Sequence, residues 1–229
     1  MKKEDNLRRI ARFLMLQSSF INNIGLLHGK MGIAIFFYLY SRFSKNKLFK
    51  KYADELIDEI YKQIDAQSSI DFDSGLAGVA WGIVYLMDNK FISGDICLVL
   101  KSLDSRIQEW DVRKIRDYSL RTGLKGLAYY IISRYGNKSC RGSIIPNEYI
   151  KDLITSLKLD ITDDESQILV EKLNCIIRYE NVEFLDNLLY NLTNDVRFSQ
   201  KSLFKDGRSF GILDNGLAGI GLNLIWKIE

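Results

Sequence analysis

Residues 74–80 read SGLAGVA, and this pattern of one polar residue followed by two glycines three positions apart recurs along the chain. The other copies are HGKMGIA at 28–34, TGLKGLA at 122–128 and NGLAGIG at 215–221. Each copy precedes an apolar, aromatic-rich stretch such as WGIVYLMD at 81–88. A short pattern that recurs at a fixed period indicates a repeat architecture, in which every copy opens an equivalent structural unit.

The spacing of the motifs sets the number of units. The steps between the first glycines of successive motifs are 46, 48 and 93 residues, so the last step is close to twice the others. This doubled step predicts a further unit near residue 169, where Thr162 to Glu165 form a capping-box pattern without the glycines. We therefore predict about five units, one of them degenerate.

The motif residues have the chemistry of helix starts. Ser74, Thr122 and Asn215 are good N-cap residues, since their side chains can accept a hydrogen bond from an early helical N–H, and His28 fills the same position. Glycine costs about 1 kcal/mol relative to alanine in a helix interior, so two repeated glycines need a reason. Two reasons stay open: close approach of a neighbouring helix or loop, and room for a ligand at the helix N-termini.

The segments between the motifs predict a second kind of helix. The stretch 49–66 is amphipathic, with an apolar stripe at Tyr52, Leu56, Ile60 and Ile64, whereas the motif helices are apolar nearly all round. A single proline, Pro146, also suits an all-helical chain. We predict one all-α domain over residues 1–229, in which polar-faced outer helices alternate with buried inner helices whose N-termini gather at one rim.

Composition narrows the functional classes. The net charge is +3 in 229 residues and both signs are interspersed, so the sequence shows no cluster of positive charge that would bind nucleic acid or an anionic membrane. The cysteines Cys97, Cys140 and Cys175 lie outside any C-x-x-C pattern, so we expect ordinary thiols rather than a disulfide framework or a cysteine-rich zinc site. Charged residues interrupt the N-terminal segment, and no apolar run approaches a bilayer span, which predicts a cytoplasmic protein.

Three stretches carry a family resemblance: GLLHGKMGIAIFFYLYSR at 25–42, DSGLAGVAWGIVYLM at 73–87 and LDNGLAGIGLNLI at 213–225. They resemble the repeats of the lanthionine synthetase C-like (LanC-like) proteins, the cyclases of lanthipeptide maturation. The resemblance implies an α/α toroid, or a partial toroid, of about five helical hairpins whose inner helices open with Gly-x-x-Gly. It also implies a peptide substrate or a partner among the maturation enzymes.

The resemblance further implies where a metal would be held. Catalytic members of the family bind one zinc ion through two cysteines and one histidine at or just before the residue preceding the motif glycine, and a separate histidine assists proton transfer. The zinc activates a peptide thiolate for addition to a dehydrated Ser or Thr. In this sequence no cysteine stands at the aligned pairs, which are Leu27-His28, Asp73-Ser74, Arg121-Thr122 and Asp214-Asn215. We predict no metal ligand and no cofactor, with zinc only if unorthodox ligands retain the family chemistry.

The candidate catalytic residues are His28, Asp73 and Asp214. His28 is the only histidine, and it acts either as a capping or packed residue or as a proton-transfer group. Carboxylates beside helix N-termini are favoured by the helix dipole, which is the simpler interpretation of Asp73 and Asp214. If the N-termini converge, His28, these two acids and Asp71 would instead face one mouth, where oxygen ligands favour Mg²⁺, Ca²⁺ or Mn²⁺.

The candidate substrate-binding residues are Arg121, Ser74, Thr122 and Asn215. Arg121 interrupts the acidic pattern of the motif positions, and it either pairs with the acids or binds a substrate carboxylate. The three polar residues occupy the equivalent position before each motif glycine.

Three functions remain open. The first is a LanC-like protein without zinc-dependent cyclase chemistry that binds or presents a peptide. The second is an active enzyme, either a non-standard cyclase or a hydrolase or lyase that uses the rim acids as a general acid/base pair. The third is a helical-repeat scaffold for protein partners. None of them requires a nucleic acid or a membrane.

Overall fold

The computed structural model describes residues 2–136, 145–160, 163–182, 187–194 and 209–228, and every regular element within these ranges is helical. The α-helices are α1 Lys2–Gln17, α2 Lys30–Ser44, α3 Lys47–Gln63, α4 Leu76–Asp88, α5 Ile96–Gln108, α6 Leu124–Gly136, α7 Asn147–Leu157, α8 Asp164–Ile177, α9 Leu188–Asn194 and α10 Leu217–Trp226. The predicted all-α class is confirmed. Within the same ranges, no helix is long and apolar enough to cross a membrane.

The motif helices are buried on every side, as predicted for inner helices. Residues 76–86 of α4 are all buried, and so are residues 217–225 of α10. A helix that is apolar all round gains stability only where neighbours cover all of its surface. The glycine motifs therefore open the helices that form the core.

The helix that follows the first motif helix is one-sided. In α3 only Ala53, Leu56 and Ile60 are buried. The helix begins before the predicted residue 49, because the side chain of Asn46 caps it by accepting a hydrogen bond from the backbone N–H of Leu48 at 3.0 Å. It also ends earlier than predicted, at Gln63, where the next residue takes an extended conformation.

The chain folds into two compact units. The terminal unit comprises residues 1–68 and 187–229, and the central unit comprises residues 69–186. In the terminal unit α10 packs against α1, α2 and α9, and α2 packs against α3. In the central unit the motif helices α4 and α6 pack together, with α5 beside α4 and α7 beside α6. The single domain over residues 1–229 stays a prediction.

Helix α8 lies where the doubled spacing predicts a degenerate unit. It packs against α6, as α6 packs against α4, and it also contacts α7. Its N-cap is Asp163, whose carboxylate accepts a hydrogen bond from the backbone N–H of Ser166 at 2.7 Å. Thr162, the expected start of the capping box, lies outside the described residues. The position of the unit is therefore close to the prediction, and the described cap is an aspartate one residue further on.

The caps of the motif helices correct the sequence prediction. Gly29, Gly75 and Gly216 are themselves the N-cap residues of α2, α4 and α10, and no side chain caps these helices. Neither His28, Ser74 nor Asn215 therefore has the predicted capping role. The hydroxyl of Thr122, the corresponding residue before α6, donates to the carboxylate of Asp117 instead.

Backbone carbonyls of the preceding loop take the place of capping side chains. The N–H groups of Leu76 and Ala77 donate to the carbonyls of Ser69 and Ile70, seven residues earlier, at 2.8 and 3.2 Å. Equivalent bonds join Lys30 to Asn23 (2.8 Å), Leu124 to Asp117 (2.9 Å) and, across a loop one residue longer, Leu217 to Ser209 (3.0 Å). Because the carbonyls of each loop accept hydrogen bonds from the first N–H groups of its own helix, these groups do not need a capping side chain.

These returning loops explain the repeated glycines. A Cβ atom on Gly75 would lie closer than 3.0 Å to the carbonyl oxygen of Ser69, and one on Gly123 would meet that of Asp117 in the same way. The second glycines are equally confined, since a Cβ on Gly32 or Gly219 would collide with the carbonyl of Leu26 or Ile212. Close approach of a loop is thus the reason for the motif.

We expect Gly75→Ala to lower the free energy of unfolding by about 1–3 kcal/mol, because the added methyl group must displace backbone rather than a flexible side chain. Gly94→Ala is the matched control, since its Cβ would meet Val99 and Met87 at ordinary distances of 3.8 and 3.9 Å. Denaturant unfolding of both variants measures the difference. Equal losses would contradict the explanation.

Candidate functional site

The predicted site residues lie in the loops that return onto the motif helices. We call these the motif loops and define them as residues 23–29, 69–75, 117–123 and 209–216. The first and last belong to the terminal unit, and the other two belong to the central unit. Each unit therefore contains one pair of neighbouring motif loops.

In the central unit the structure brings Asp73 and Arg121 together. The guanidinium Nε and Nη2 of Arg121 donate to Oδ2 of Asp73 at 3.0 and 2.9 Å. The carboxylate is buried, with 11% of its side chain exposed, whereas 47% of the arginine side chain is exposed. A buried carboxylate with two charge-assisted hydrogen bonds is held in place, and the open side of the pair is the arginine.

The hydroxyl groups of the central motif loops serve the loops themselves. Ser74 donates through its backbone N–H to Oδ1 of Asp71 at 2.6 Å, and its hydroxyl donates to the same carboxylate at 3.1 Å. The hydroxyl of Thr122 bonds Asp117, and this hydrogen bond is the main cause that lowers the pKa of the Asp117 carboxyl. Both predicted substrate contacts are therefore engaged in stabilising turns.

In the terminal unit the structure brings His28 and Asp214 together, although they are 186 residues apart in sequence. Nε2 of His28 lies 2.7 Å from Oδ2 of Asp214. The histidine side chain is 19% exposed and that of Asp214 is 64% exposed. Asp214 and Asn215 both have left-handed backbones, with φ of 56° and 55°, which aspartate and asparagine adopt more readily than most residues. A carboxylate within hydrogen-bonding distance of an imidazole nitrogen fixes the orientation of the ring.

Within each pair, the two motif loops are joined by the same kind of backbone contact. The carbonyl of Arg121 accepts hydrogen bonds from the N–H groups of Phe72 and Asp73 at 3.0 and 2.9 Å. The carbonyl of Leu27 accepts from two consecutive N–H groups of the last motif loop, at residues 212 and 213, at 2.6 and 3.1 Å. The last motif therefore contacts the first as the second contacts the third, and in both cases an acid reaches a basic side chain on the next loop.

Sequence reasoning missed a third contact of this kind. Lys125, in the first turn of α6, donates to Asp163 at 2.6 Å and to Glu165 at 3.1 Å. The hydrogen bond from Lys125 is the main cause that lowers the pKa of Asp163 to about 2. Tyr129 donates to the other oxygen of Glu165 at 2.8 Å. The acidic start of the degenerate unit was the available signal, but nothing in the sequence pointed from it to Lys125.

The cysteines do not assemble a metal site in the part of the chain that the structure describes, where no group of three His, Cys, Asp or Glu side chains is placed to hold an ion. Cys175 is a free thiol, and its pKa is raised, chiefly by a hydrogen bond with Glu180. Cys97 is disulfide-bonded, which corrects the expectation of ordinary thiols for this residue. The expectation for Cys140 falls outside the described residues.

Comparison with known proteins places the chain in a family. Residues 21–181 match the family described as lanthionine synthetase C-like protein, and the chain belongs to this family. Among solved structures, nisin cyclase is similar at 16% sequence identity, with 97% of this chain and 72% of that chain covered and a TM-score of 0.44. No curated protein is matched by the sequence.

We expect Arg121→Met to destabilise the protein by about 1–3 kcal/mol, because the buried carboxylate of Asp73 loses the two charged donors of Arg121. Arg113→Met is the matched control: Arg113 bonds Asp111 through two nitrogens, at 2.8 and 3.1 Å, but its side chain is 66% exposed. Surface pairs of that kind contribute little. Chemical unfolding of the two variants decides the point, and a loss as large in the control would show that burial of Asp73 is unimportant.

Proposed function

We propose that this chain is a LanC-like protein that binds a peptide during lanthipeptide maturation and does not carry out zinc-dependent cyclisation. Membership of the family supports the link to lanthipeptides. The observation that supports peptide binding without zinc-dependent cyclisation is the identity of the residues in front of the motif glycines. Where the family resemblance places two cysteines and a histidine, this chain has no cysteine: His28 bonds Asp214 and Arg121 bonds Asp73, and the remaining polar positions are hydroxyl groups and an amide.

The donor set at these positions does not fit the family's zinc ion. Zinc in such sites prefers thiolate and imidazole ligands, and the described motif loops offer one imidazole, that of His28. His28 bonds Asp214, and Asp73 is committed to Arg121. These contacts hold neighbouring motif loops together through side chains, without requiring an ion as the common ligand.

The side chains left facing solvent are suited to binding. The side chain of Arg121 is 47% exposed, and the carboxylate of Asp73 orients its guanidinium. An oriented guanidinium binds a peptide carboxylate or main-chain carbonyl at a smaller entropic cost than a mobile one. We include Ser74 and Thr122 as neutral contacts within the central unit, and Asn215 as a neutral contact of the terminal unit. Cytoplasmic location, and the lack of nucleic-acid or membrane partners, remain predictions from the sequence.

The absence of zinc chemistry is tested with a dehydrated lanthipeptide precursor. We expect purified protein to contain far less than one zinc per chain, and the precursor's cysteine thiols to remain open to alkylation after incubation with protein and added zinc. Elemental analysis and mass spectrometry measure both. Stoichiometric zinc together with zinc-dependent loss of free thiols would overturn this part of the proposal.

Peptide binding is tested by calorimetric titration of the same precursor into the full chain. We expect Arg121→Gln to weaken binding by about tenfold or more, because a charged hydrogen bond contributes roughly 1.5–3 kcal/mol. The control is Arg113→Gln, and both variants are compared at a temperature where unfolding curves show them to be folded. No affinity in the wild type would favour the helical-repeat scaffold, and an unchanged affinity in Arg121→Gln would remove that residue from the site.

One observation favours an enzyme as the second candidate. The 2.7 Å contact between His28 and Asp214 is the arrangement of a general base with its orienting carboxylate. A zinc-free enzyme of this kind would lose activity in His28→Gln and partly recover it as the pH is raised. Cyclisation or hydrolysis of the precursor by the wild type, abolished in His28→Gln but kept in Lys114→Gln, would establish it.

A further inference from the structure

The surface of α1 that faces solvent changes character along the helix. Its acidic residues, Glu4 and Asp5, lie in the first turn. Arg8 and Arg12 follow one turn apart and are both exposed. Arg8 pairs with Asp5 at 3.4 Å, with more than 60% of each side chain exposed, which is a weak surface contact. The middle of this face is therefore basic.

The end of the same face is apolar. Leu16, one turn beyond Arg12, is 71% exposed, and Phe20, in the 3₁₀ turn Ser18–Phe20, is 78% exposed. Residues four apart lie on one side of a helix, so Leu16 continues the line of the two arginines. Large apolar side chains exposed together beside charged groups mark interaction surfaces.

The apolar end is fixed in place by α3. The hydroxyl of Tyr52 donates to the carbonyl of Met15 at 3.1 Å and also bonds the hydroxyl of Ser18, which is fully buried. The turn that carries Phe20 is thus tied down on both sides of Leu16. A surface that is already ordered binds a partner at a smaller entropic cost.

We propose that this basic-to-apolar surface, defined by Arg8, Arg12, Leu16 and Phe20, binds a peptide segment with acidic residues next to an apolar anchor. The inference rests on the proposed function, since it names the chemistry of the peptide. The surface is about 18 Å long, from the twelve steps between Arg8 and Phe20 at about 1.5 Å each, which matches about five or six residues of extended peptide. It lies in residues 1–20, before the stretch that matches the family.

Charge and shape favour a peptide over an anionic bilayer. A helix that lies on a membrane needs apolar side chains along its whole contact face. Here the apolar residues occupy one end, and the charged residues occupy the rest of the exposed face. A segment with an acidic half and an apolar half complements both parts at once.

The test uses a fluorescein-labelled synthetic peptide of about six residues, with glutamates in one half and Leu and Phe in the other. We expect the full chain to bind it with an affinity that falls as salt is raised. Phe20→Ser should weaken binding about tenfold or more, and Arg12→Glu about threefold to fivefold. Fluorescence anisotropy measures each affinity, and unfolding midpoints confirm that the variants are folded.

Two control variants and a control probe distinguish binding at this surface from non-specific binding. Leu98→Ser and Lys114→Glu change exposed residues of the central unit and should leave the affinity unaltered. A probe with lysines in place of the glutamates should bind much more weakly. Equal binding of the two probes, or binding of phosphatidylserine vesicles but not of the acidic probe, would overturn the proposal. If the precursor still binds when the acidic probe does not, this inference fails and the proposed function stands.

Discussion

Each motif helix depends on a loop that folds back and donates its carbonyl oxygens to the first helical N–H groups. Glycine at the cap and again three residues later leaves the space in which those carbonyls fit. The contact satisfies backbone groups that would otherwise be buried without partners, and such groups are expensive to leave unpaired. It also occupies the N–H groups that would make a helix N-terminus an anion site. Any recognition at these ends must therefore come from side chains.

The backbone caps mean that the residue in front of the glycine is not needed as a helix cap. Because backbone carbonyls cap the helix, the side chain at this position has no required structural partner in its own helix. His28, Ser74, Thr122 and Asn215 occupy it here, and the family resemblance places zinc ligands at or next to it in catalytic relatives. A fold built in this way can gain or lose a metal site without changing the bonds that form its helix starts.

The motif helices could be predicted from the sequence because the glycine motif recurs at a near-constant spacing. The repeated glycines predicted the buried helices α2, α4, α6 and α10, and the doubled step between the last two motifs predicted a helix near residue 169. Local preference failed where a longer contact competed with it: Ser74 is a good N-cap, yet the carbonyl of Ser69 takes the helical N–H and the hydroxyl turns to Asp71. The amphipathic stretch 49–66 likewise gave a helix but not its ends, which depend on Asn46 and on the turn after Gln63.

Contacts between motifs could be predicted from the pattern alone only where consecutive motifs are also neighbours in space. Pairing of Arg121 with an acid could be proposed because consecutive motifs were expected to adjoin. His28 and Asp214 were expected to share a mouth only if the motif N-termini converge, and nothing in the linear pattern itself says that the last motif adjoins the first. The buried set of Asp104, Arg134 and Tyr130 was equally hidden, because a charged residue in a helical pattern is normally assigned to the exposed face.

The equivalence of the two loop pairs bears on how the terminal unit is held together. Its two segments are separated in sequence by the whole central unit, so joining them closes a long loop at an entropic cost that grows only slowly with length. The carbonyl of Leu27, the side chain of His28 and the apolar packing of α10 against α1 and α2 offset that cost. Because α10 is buried along nearly its whole length, the packing term is the larger one. The histidine–aspartate pair then fixes the register of two segments that the apolar contacts have already brought together.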